Sequence, residues 1–494
     1  MFRPSLKARS LALPAILTIA LGACIDERIV FQDRELFETP AAAALGFLGY
    51  SDQEDKLTVC GNCHVGVQAQ WEETAHADAW AGLRDSGHAQ DFCEGCHTVN
   101  ELGNPTEGAA GYSAAPDERY HDVQCESCHG PGLTHVENPD ASQPVAGISV
   151  GLDLTTGCGE CHSGTHHPFA EEWSRSAHAK VGFQASRDGC RNCHSGDGAL
   201  AAWGIDADYL EKDAAEAGDH VAITCAVCHD PHGSENDAQL RFPINTPEVG
   251  VNLCSKCHDR RTEPDPGSSH GLVPHAPEAA LLEGDVGWFP PGAIIDRGAI
   301  ISTHGSEANP SLCATCHVNT FTVNDQITGE FLFSATGHVF NAIPCLDAQG
   351  IPTTEDCGMN TAARSFAGCT GARCHGTEQT AFSALTASTM RLRFLSRVLI
   401  AQLTEVDPNL DGAGGEIDAH NPIFTVAEGA FFNNALAAFG GDDRADPLLT
   451  FAGAAAHNPF LMEALLIGSI DAVEAEYGVA PSPSLVRTPI LPGN

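Results

Sequence analysis

The sequence predicts a mainly α fold with extensive irregular loop and a separate helical subdomain at the C terminus. Patterns typical of strands are scarce, and the 494 residues include 50 glycines and 29 prolines, which interrupt long helices and strands. Helical spacing of apolar residues is clear after residue 375, where Leu395, Leu399 and Leu403 recur every four residues. Most of the chain therefore needs something other than long helices to organise it.

The first 23 residues have the pattern of an export signal, a basic start (MFRPSLKARS) followed by a short apolar stretch (LALPAILTIALGA). The sequence LGAC at residues 21–24 resembles the lipobox of bacterial lipoproteins, in which Cys24 would become the lipid-bearing first residue. A cleaved signal with an incidental cysteine is the alternative. We expect an exported protein that is lipid-anchored to the outer membrane and faces the periplasm or the cell surface.

The charge balance restricts the class of partner. The chain has 25 basic and 65 acidic residues and a formal net charge of −40 at pH 7. Such a surface repels nucleic acid and attracts cationic partners or metal ions. We therefore expect no nucleic-acid partner.

The cysteines form nine units that each end in Cys-His, eight of the form CxxCH and one, CTGARCH, with two more residues between its cysteines. We number these attachment units 1 to 9 in chain order. Their residues are Cys60, Cys63 and His64; Cys93, Cys96 and His97; Cys125, Cys128 and His129; Cys158, Cys161 and His162; Cys190, Cys193 and His194; Cys225, Cys228 and His229; Cys254, Cys257 and His258; Cys313, Cys316 and His317; and Cys369, Cys374 and His375.

This spacing is typical of covalent haem attachment. Two thiols add to the two vinyl groups of one haem, and the next residue places an imidazole on the iron. Zinc sites use paired cysteines and disulfides also suit an exported chain, but neither needs a histidine directly after the second cysteine. A histidine stands there in all nine units although only 24 of 494 residues are histidine. The sequence therefore predicts nine covalently bound haem c groups.

Two cysteines, Cys345 and Cys357, have no adjacent histidine. In an oxidising compartment a disulfide between them is expected, and it would stabilise the fold by roughly 3 kcal/mol through chain entropy. Two free buried thiols are the alternative.

The attachment units recur at 29 to 35 residues from unit 1 to unit 7, which indicates an internal repeat. Other residues repeat with a longer period, since Trp71 matches Trp173 and His76 matches His178, both at an offset of 102 residues. We therefore divide the chain into a signal at 1–23, a linker at 24–56, three-haem modules at 57–150 and 151–250, a third three-haem segment at 251–375, and a haem-free helical region at 376–494.

The duplication also indicates the second iron ligands. After removal of the signal only Met359, Met390 and Met462 remain as methionines, so most irons should take two histidines, which implies low reduction potentials. The candidates for the second ligand are the histidines matched between the modules and three histidines in loops near later units. His88, His166, His167 and His270 are competing candidates. The candidate distal ligands are His76, His121, His135, His178, His220, His232, His275, His304 and His338.

Several stretches resemble motifs of multihaem cytochromes c of the cytochrome c-554 and hydroxylamine oxidoreductase lineage: Trp71 with Thr74, His76 and Ala77, then CESCHGPGLTH and CHDPHG. The resemblance covers roughly residues 57–375. It implies a fold organised around haems that pack in pairs or stacks and pass electrons along the array. Nine units differ from the four or eight typical of the lineage, and the chain lacks the CxxCK unit that marks the substrate haem of many ammonia-forming nitrite reductases.

The C-terminal region has two segments that begin alike, HNPIF at His420 and HNPFL at His457, each with Asn placed as an N-cap and Pro at the first helical position. We expect both histidines to pack at helix starts, with haem ligation as the alternative. Between the helices, Asp407, Asn409, Asp411 and Asp418 partly fit a calcium-binding loop, and an acidic turn without metal is the alternative.

These patterns favour an electron carrier over an enzyme. We expect the chain to exchange electrons with other cytochromes or with extracellular acceptors. A reductase of nitrite, hydroxylamine or a sulfur oxyanion, with one open haem site, is the rival hypothesis, followed by a homo-oligomer or conductive filament.

Overall fold

The helices of the attachment region, residues 57–375, are short. The computed structural model describes residues 39–144, 146, 157–205, 220–248, 250–268, 270–296, 299–325, 327–353, 357, 363–371, 374–410, 414–439 and 449–488; the proposed signal and Cys24 lie outside these ranges. Before residue 376 it contains helices α1 (Val65–Trp71), α2 (Ala79–Asp85), α3 (Cys125–His129), α4 (Leu133–Glu137), α5 (Cys158–Cys161), α6 (Phe169–Arg175), α7 (Arg191–His194), α8 (Gly196–Ala202), α9 (Cys225–Cys228), α10 (Glu278–Glu283) and α11 (Leu312–His317). Isolated helices of this length are unstable in water.

Most attachment units contain a single helical turn. Units 3, 4, 5, 6 and 8 lie in α3, α5, α7, α9 and α11, and units 1, 2 and 9 include 3₁₀ turns at Cys60–Asn62, Asp91–His97 and Ala367–Cys369. Residues three and four apart share one face of a helix. In a CxxCH unit such a turn therefore presents both cysteines and the histidine to the same side of the backbone.

The two modules make the same local hydrogen bonds, as their sequence similarity predicts. The indole nitrogen of Trp71 donates to the carbonyl oxygen of Val123 at 2.9 Å, and that of Trp173 donates to Ile223 at 2.8 Å. The same two acceptor residues donate their amides to the carbonyl oxygens of His76 and His178, both at 3.1 Å. Each tryptophan therefore anchors the loop that precedes the third unit of its module.

The strands form three small antiparallel hairpins. The pairs are β1 (Tyr50–Asp52) with β2 (Leu57–Thr58), β3 (Phe321–Asn324) with β4 (Phe331–Ala335), and β5 (Cys345–Leu346) with β6 (Pro352–Thr353). A disulfide joins Cys345 in β5 to Cys357 just after β6. These hairpins fix loops between units and do not build a core.

The C-terminal region is a packed helical bundle. It contains α12 (Glu378–Val406), α13 (Val426–Ala437), α14 (Ala452–His457) and α15 (Pro459–Tyr477). Leu395, Leu399 and Leu403 on α12 are fully buried, as their spacing predicts, and pack with Leu461 and Leu465 of α15 in the largest apolar cluster of the described residues. The predicted mainly α fold with irregular loops and a C-terminal helical region is confirmed.

The two HNP segments begin differently. Asn458 caps α15 by accepting a hydrogen bond from the Leu461 amide, with Pro459 at the first turn, so this predicted start is confirmed. The start predicted at Asn421 is wrong, because α13 begins at Val426 after a capping box formed by Thr425 and Glu428. The reciprocal bonds of that capping box satisfy more amide groups than an asparagine cap alone.

Polar side chains attach the bundle to the third three-haem segment. The Asn458 side chain donates to the carbonyl oxygens of Leu281 and Ile300 at 3.0 and 2.8 Å. Asn433 of α13 bonds both backbone groups of Trp288. Among the described residues no helix is both long and apolar enough to cross a membrane.

Candidate haem sites

The structure sets eight attachment histidines opposite another histidine, with ring centroids 6.0–6.5 Å apart. Each of these pairs, found among the described residues, joins one attachment histidine to one histidine from elsewhere in the chain. The pairs are His64 with His135, His162 with His76, His129 with His232, His258 with His178, His194 with His275, His229 with His338, His375 with His304, and His317 with His457.

This spacing fits an iron ion between the two rings. Two imidazoles on opposite sides of one metal have their centres about 6 Å apart, given metal–nitrogen bonds of about 2 Å. A directly stacked pair is much closer, as His121 and Trp80 show at 3.9 Å. The paired histidines together with the two cysteines of each unit therefore fit a covalently attached haem that two imidazoles would hold.

Backbone carbonyls fix the orientation of many of these rings. The Nδ1–H groups of His97, His229 and His317 donate to the carbonyl oxygens of Ala79, Ala238 and Phe340 at 2.7, 2.7 and 3.0 Å. The same contact joins His304 to Ala456 and His457 to Gly453, at 2.7 and 2.8 Å. Because a carbonyl can only accept, Nδ1 carries the proton and Nε2 keeps its lone pair for a metal.

Burial keeps several of these imidazoles neutral. It is the main cause that lowers the pKa of His162, His178, His338 and His457 to about 4, and neighbouring histidines lower it further. A neutral imidazole is the form that binds a metal ion. At neutral pH these four rings are therefore in the ligand-competent state.

Seven of the nine candidate distal ligands lie opposite an attachment histidine, and the structure places the other two differently. His121 stacks on Trp80 at 3.9 Å. The Nδ1 atom of His220 lies 3.0 Å from Asp197 Oδ2. The duplication matched these two histidines to each other, and their assignment as distal ligands stays a prediction.

Sequence reasoning gave less weight to two histidines that the structure places near attachment histidines. His457 lies opposite His317, at the end of α14 rather than in the first turn of a helix. The pKa of His167 is lowered by burial first and then by His166 and His97, which places it near the histidine of unit 2. Its position five residues after His162, in the sequence CHSGTHH, was the available signal.

The attachment units also lie close to one another. Thiols are electrostatic neighbours in the pairs Cys60 and Cys125, Cys96 and Cys161, Cys158 and Cys225, Cys193 and Cys257, and Cys254 and Cys313. In the mature protein these sulfur atoms would be thioethers, so the contacts report only that the units are neighbours. Electrostatic contacts add Cys128 to Cys158, Cys228 to Cys254, and Cys316 to Cys369.

In the acidic loop between α12 and α13, backbone amides of the same loop donate hydrogen bonds to the carboxylates. Asp407 accepts from the amides of Asn409 and Ile417, both at 3.0 Å, and Asp418 accepts from Gly414 and His420 at 2.7 and 2.9 Å. Asp411 lies outside the described residues, and within them no cluster of three metal-binding side chains occurs. This geometry favours the acidic turn over the calcium loop.

Comparison with protein families identifies the kind of protein. The family model for cytochrome c554 and c-prime matches residues 59–130, which span units 1 to 3. The model for a doubled CXXCH motif matches residues 217–263, which contain units 6 and 7. The chain is a multihaem c-type cytochrome. The two models together leave units 4, 5, 8 and 9 and the C-terminal bundle of this cytochrome unmatched.

Curated relatives of the cytochrome are also multihaem proteins. Multiheme cytochrome MtrA of Shewanella baltica is 28% identical over 255 residues, which cover 46% of this chain and 66% of MtrA. C-type polyheme cytochrome OmcB of Geobacter sulfurreducens is 25% identical over 190 residues, or 34% of this chain and 25% of OmcB. Cytochrome c-554 of Nitrosomonas europaea is 33% identical over 90 residues, or 15% of this chain and 36% of that protein.

The cytochrome thus spans less than two thirds of the length of each of these relatives. No solved structure shows significant similarity to it.

Proposed function

We propose that this cytochrome binds nine haem c groups, most of them between two histidines at low potential, and carries electrons along them. The observation that carries the proposal is the set of eight histidine pairs, each holding a metal-sized gap beside two cysteines. Each haem, when bound, accepts and releases one electron without making or breaking bonds in a substrate. The residues of the chain set the spacing, the ligands and the exposure of each site.

Neighbouring attachment units define a path. Cys60 contacts Cys125, and Cys158 contacts Cys225, which joins unit 1 to unit 3 and unit 4 to unit 6. Four further contacts join unit 3 to unit 4 through Cys128, unit 6 to unit 7 through Cys228, unit 7 to unit 8 through Cys254, and unit 8 to unit 9 through Cys316. The order along the path is therefore 1, 3, 4, 6, 7, 8 and 9.

The two remaining units lie beside this path. Cys96 of unit 2 contacts Cys161 of unit 4, and Cys193 of unit 5 contacts Cys257 of unit 7. Units 2 and 5 occupy equivalent positions in the two duplicated modules. Each is the second unit of its module and lies beside the first unit of the following segment. Units 4 and 7 are thus junctions of the array.

The ends of the path are the most accessible units. Cys63 of unit 1 and Cys374 of unit 9 are exposed, whereas the other attachment cysteines are partly buried. Electron exchange with a partner requires a haem edge near the surface. Units 1 and 9 are therefore the sites of electron entry and exit, in an order that depends on the partners' potentials.

The second ligand of each iron is assigned from the histidine pairs. Seven irons would take candidates proposed from the sequence, namely His76, His135, His178, His232, His275, His304 and His338, and unit 8 would take His457. For unit 2 we assign His167, because His97 is among the groups that lower its pKa. With the eight observed pairs and this ninth assignment each iron would have two histidine ligands, which supports a carrier over a reductase with an open haem.

The proposed location rests on the N-terminal sequence. An export signal and lipidation at Cys24 would attach the cytochrome to the outer membrane, facing the periplasm or the surface. Its relatives named as multiheme or polyheme cytochromes support other cytochromes as partners, alongside extracellular acceptors. The excess of acidic residues favours partners with a basic docking face.

The proposal is tested by counting haems and their spin states in the purified protein. We expect nine haems per chain and a low-spin electron paramagnetic resonance spectrum. In His457→Ala the unit 8 iron loses its second ligand, so one haem in nine should become high-spin. A high-spin haem in the unaltered protein, together with turnover of nitrite or hydroxylamine, would establish the reductase instead.

His420→Ala is the matched control, because His420 begins the other HNP segment but has a side chain that is 69% exposed next to Asp418. Its spectrum should equal that of the unaltered protein. Loss of one low-spin signal in both variants, or in neither, would contradict the assignment of His457.

A further inference from the structure

The attachment imidazole of unit 7 faces a carboxylate, whereas several others face carbonyl oxygens. The Nδ1 atom of His258, the attachment histidine of unit 7, lies 3.6 Å from Oε2 of Glu278. That oxygen is buried and has no hydrogen-bond partner in the described structure. One oxygen of the carboxylate thus lies towards the imidazole without a hydrogen-bond partner among the described residues.

The backbone holds this contact in place. Glu278 is the first residue of α10, and the next amide, that of Ala279, donates to the carbonyl oxygen of His258 at 3.0 Å. Helix α10 in turn is fixed by Asn458, which bonds the carbonyl oxygen of Leu281. The position of the carboxylate therefore depends on the C-terminal bundle as well as on the local chain.

The electrostatics agree with the geometry. Contact with Glu278 is the largest cause that raises the pKa of His258, against the opposing effect of burial. Glu278 also opposes the burial that lowers the pKa of His275, His317 and His457, the first assigned to unit 5 and the other two to unit 8. One negative charge therefore lies near ligands of three units, with its shortest contact at unit 7.

A second histidine–carboxylate contact provides a comparison. His232 Nδ1 lies 3.8 Å from Asp230 Oδ1, but the other oxygen of Asp230 binds Arg241 at 2.6 Å. Arg241 compensates the charge of Asp230. Among the described residues no lysine or arginine forms an ion pair with Glu278, so its charge acts on the imidazole more fully.

We propose that Glu278 is a positioning and tuning residue that lowers the reduction potential of the unit 7 haem and, less strongly, those of units 5 and 8. A carboxylate at Nδ1–H makes an imidazole a stronger donor to its metal, and a buried negative charge favours the more positive ferric state. Unit 7 is the junction where units 5, 6 and 8 meet. Glu278 therefore places a low-potential site in the middle of the electron path.

This inference rests on the proposed haem array, and the test separates the two. The nine-haem protein is titrated with mediators and an electrode at one fixed pH, and its haem content and spin state are measured in the same samples. In Glu278→Gln we expect nine low-spin haems with the lowest midpoint potential shifted upward. Glu278→Asp keeps the charge at a longer distance, so its shift should be smaller.

Glu330→Gln, which removes an exposed carboxylate of the third segment, is the control and should leave all potentials unchanged. Unchanged potentials in Glu278→Gln with all haems present would overturn the tuning role. If that variant does not fold, potentials in Glu278→Asp equal to those of the unaltered protein would overturn it. Missing haems or high-spin iron in the unaltered protein would instead contradict the proposed array.

Discussion

The attachment region and the C-terminal bundle are stabilised in different ways. Before residue 376 the α-helices have four to seven residues, and the separate buried apolar clusters are small, such as Val99 with Tyr120 and Ala199 with Leu200. In the bundle, α12 has 29 residues and α15 has 19, and they share a continuous apolar core. The comparison indicates that haems replace the core in the first region, whereas side chains form it in the second.

The largest expected effect follows from preventing haem attachment. Without haem the attachment region loses the macrocycles that its loops surround, so residues 57–271 and 301–375 should be digested rapidly by a protease. The bundle should resist together with residues 272–300, because these residues and the bundle's own side chains form one apolar core. Mass spectrometry of the surviving peptides checks this, and equal digestion of both regions would show that the bundle also depends on haem.

A second test breaks a buried ion pair inside the bundle. Arg391 Nε donates to Glu463 at 2.6 Å, and its Nη2 donates to the carbonyl oxygens of Val486 and Thr488, both at 2.9 Å. Removing one partner of a buried pair costs about 3–5 kcal/mol. We expect Arg391→Ala to lower the free energy of unfolding of the bundle by that amount, with an unchanged haem spectrum.

Denaturant titration followed by helical circular dichroism measures this loss. Arg397→Ala, at an exposed position of the same helix, serves as control and should change stability by less than about 0.5 kcal/mol. A spectral change at all haems in Arg391→Ala would mean that the two regions are not independently stabilised.

The smallest effect concerns a buried carboxylate of the attachment region. Glu126 accepts hydrogen bonds from the amides of Leu48, Gly49 and Gly132 at 2.7–3.0 Å, yet burial raises its pKa to about 7. Because the folded state then binds a proton more tightly than the unfolded state, this group's contribution is complete at low pH and is lost as pH rises towards 7. We expect a loss of roughly 2 kcal/mol between pH 5 and pH 8.

Unfolding of the unaltered protein and of Glu126→Gln at those two pH values isolates the contribution, since glutamine does not titrate. As pH rises, the free energy of unfolding of the unaltered protein should fall relative to that of Glu126→Gln. A difference that stays constant would show that Glu126 is ionised throughout.

The sequence by itself predicts where haems attach, and it determined which region is a helical bundle. Both depend on neighbouring residues: a CxxCH unit is one helical turn, and leucines four apart on α12 share one face. It also predicted the cap at Asn458. It failed at Asn421 because the capping box of Thr425 and Glu428 satisfies more backbone groups a few residues later.

Only the tertiary structure decided which histidines face each other. Six of the eight pairs cross the proposed segment boundaries, such as His76 with His162, His129 with His232, and His317 with His457. The match between the two modules proposed His121 and His220 as second ligands, and neither faces an attachment histidine in the described structure. The second imidazole of a pair can come from any segment that packs against the attachment unit, including one distant in the chain. The identity of a ligand is therefore a property of packing between segments, whereas the attachment of a haem is a property of five consecutive residues.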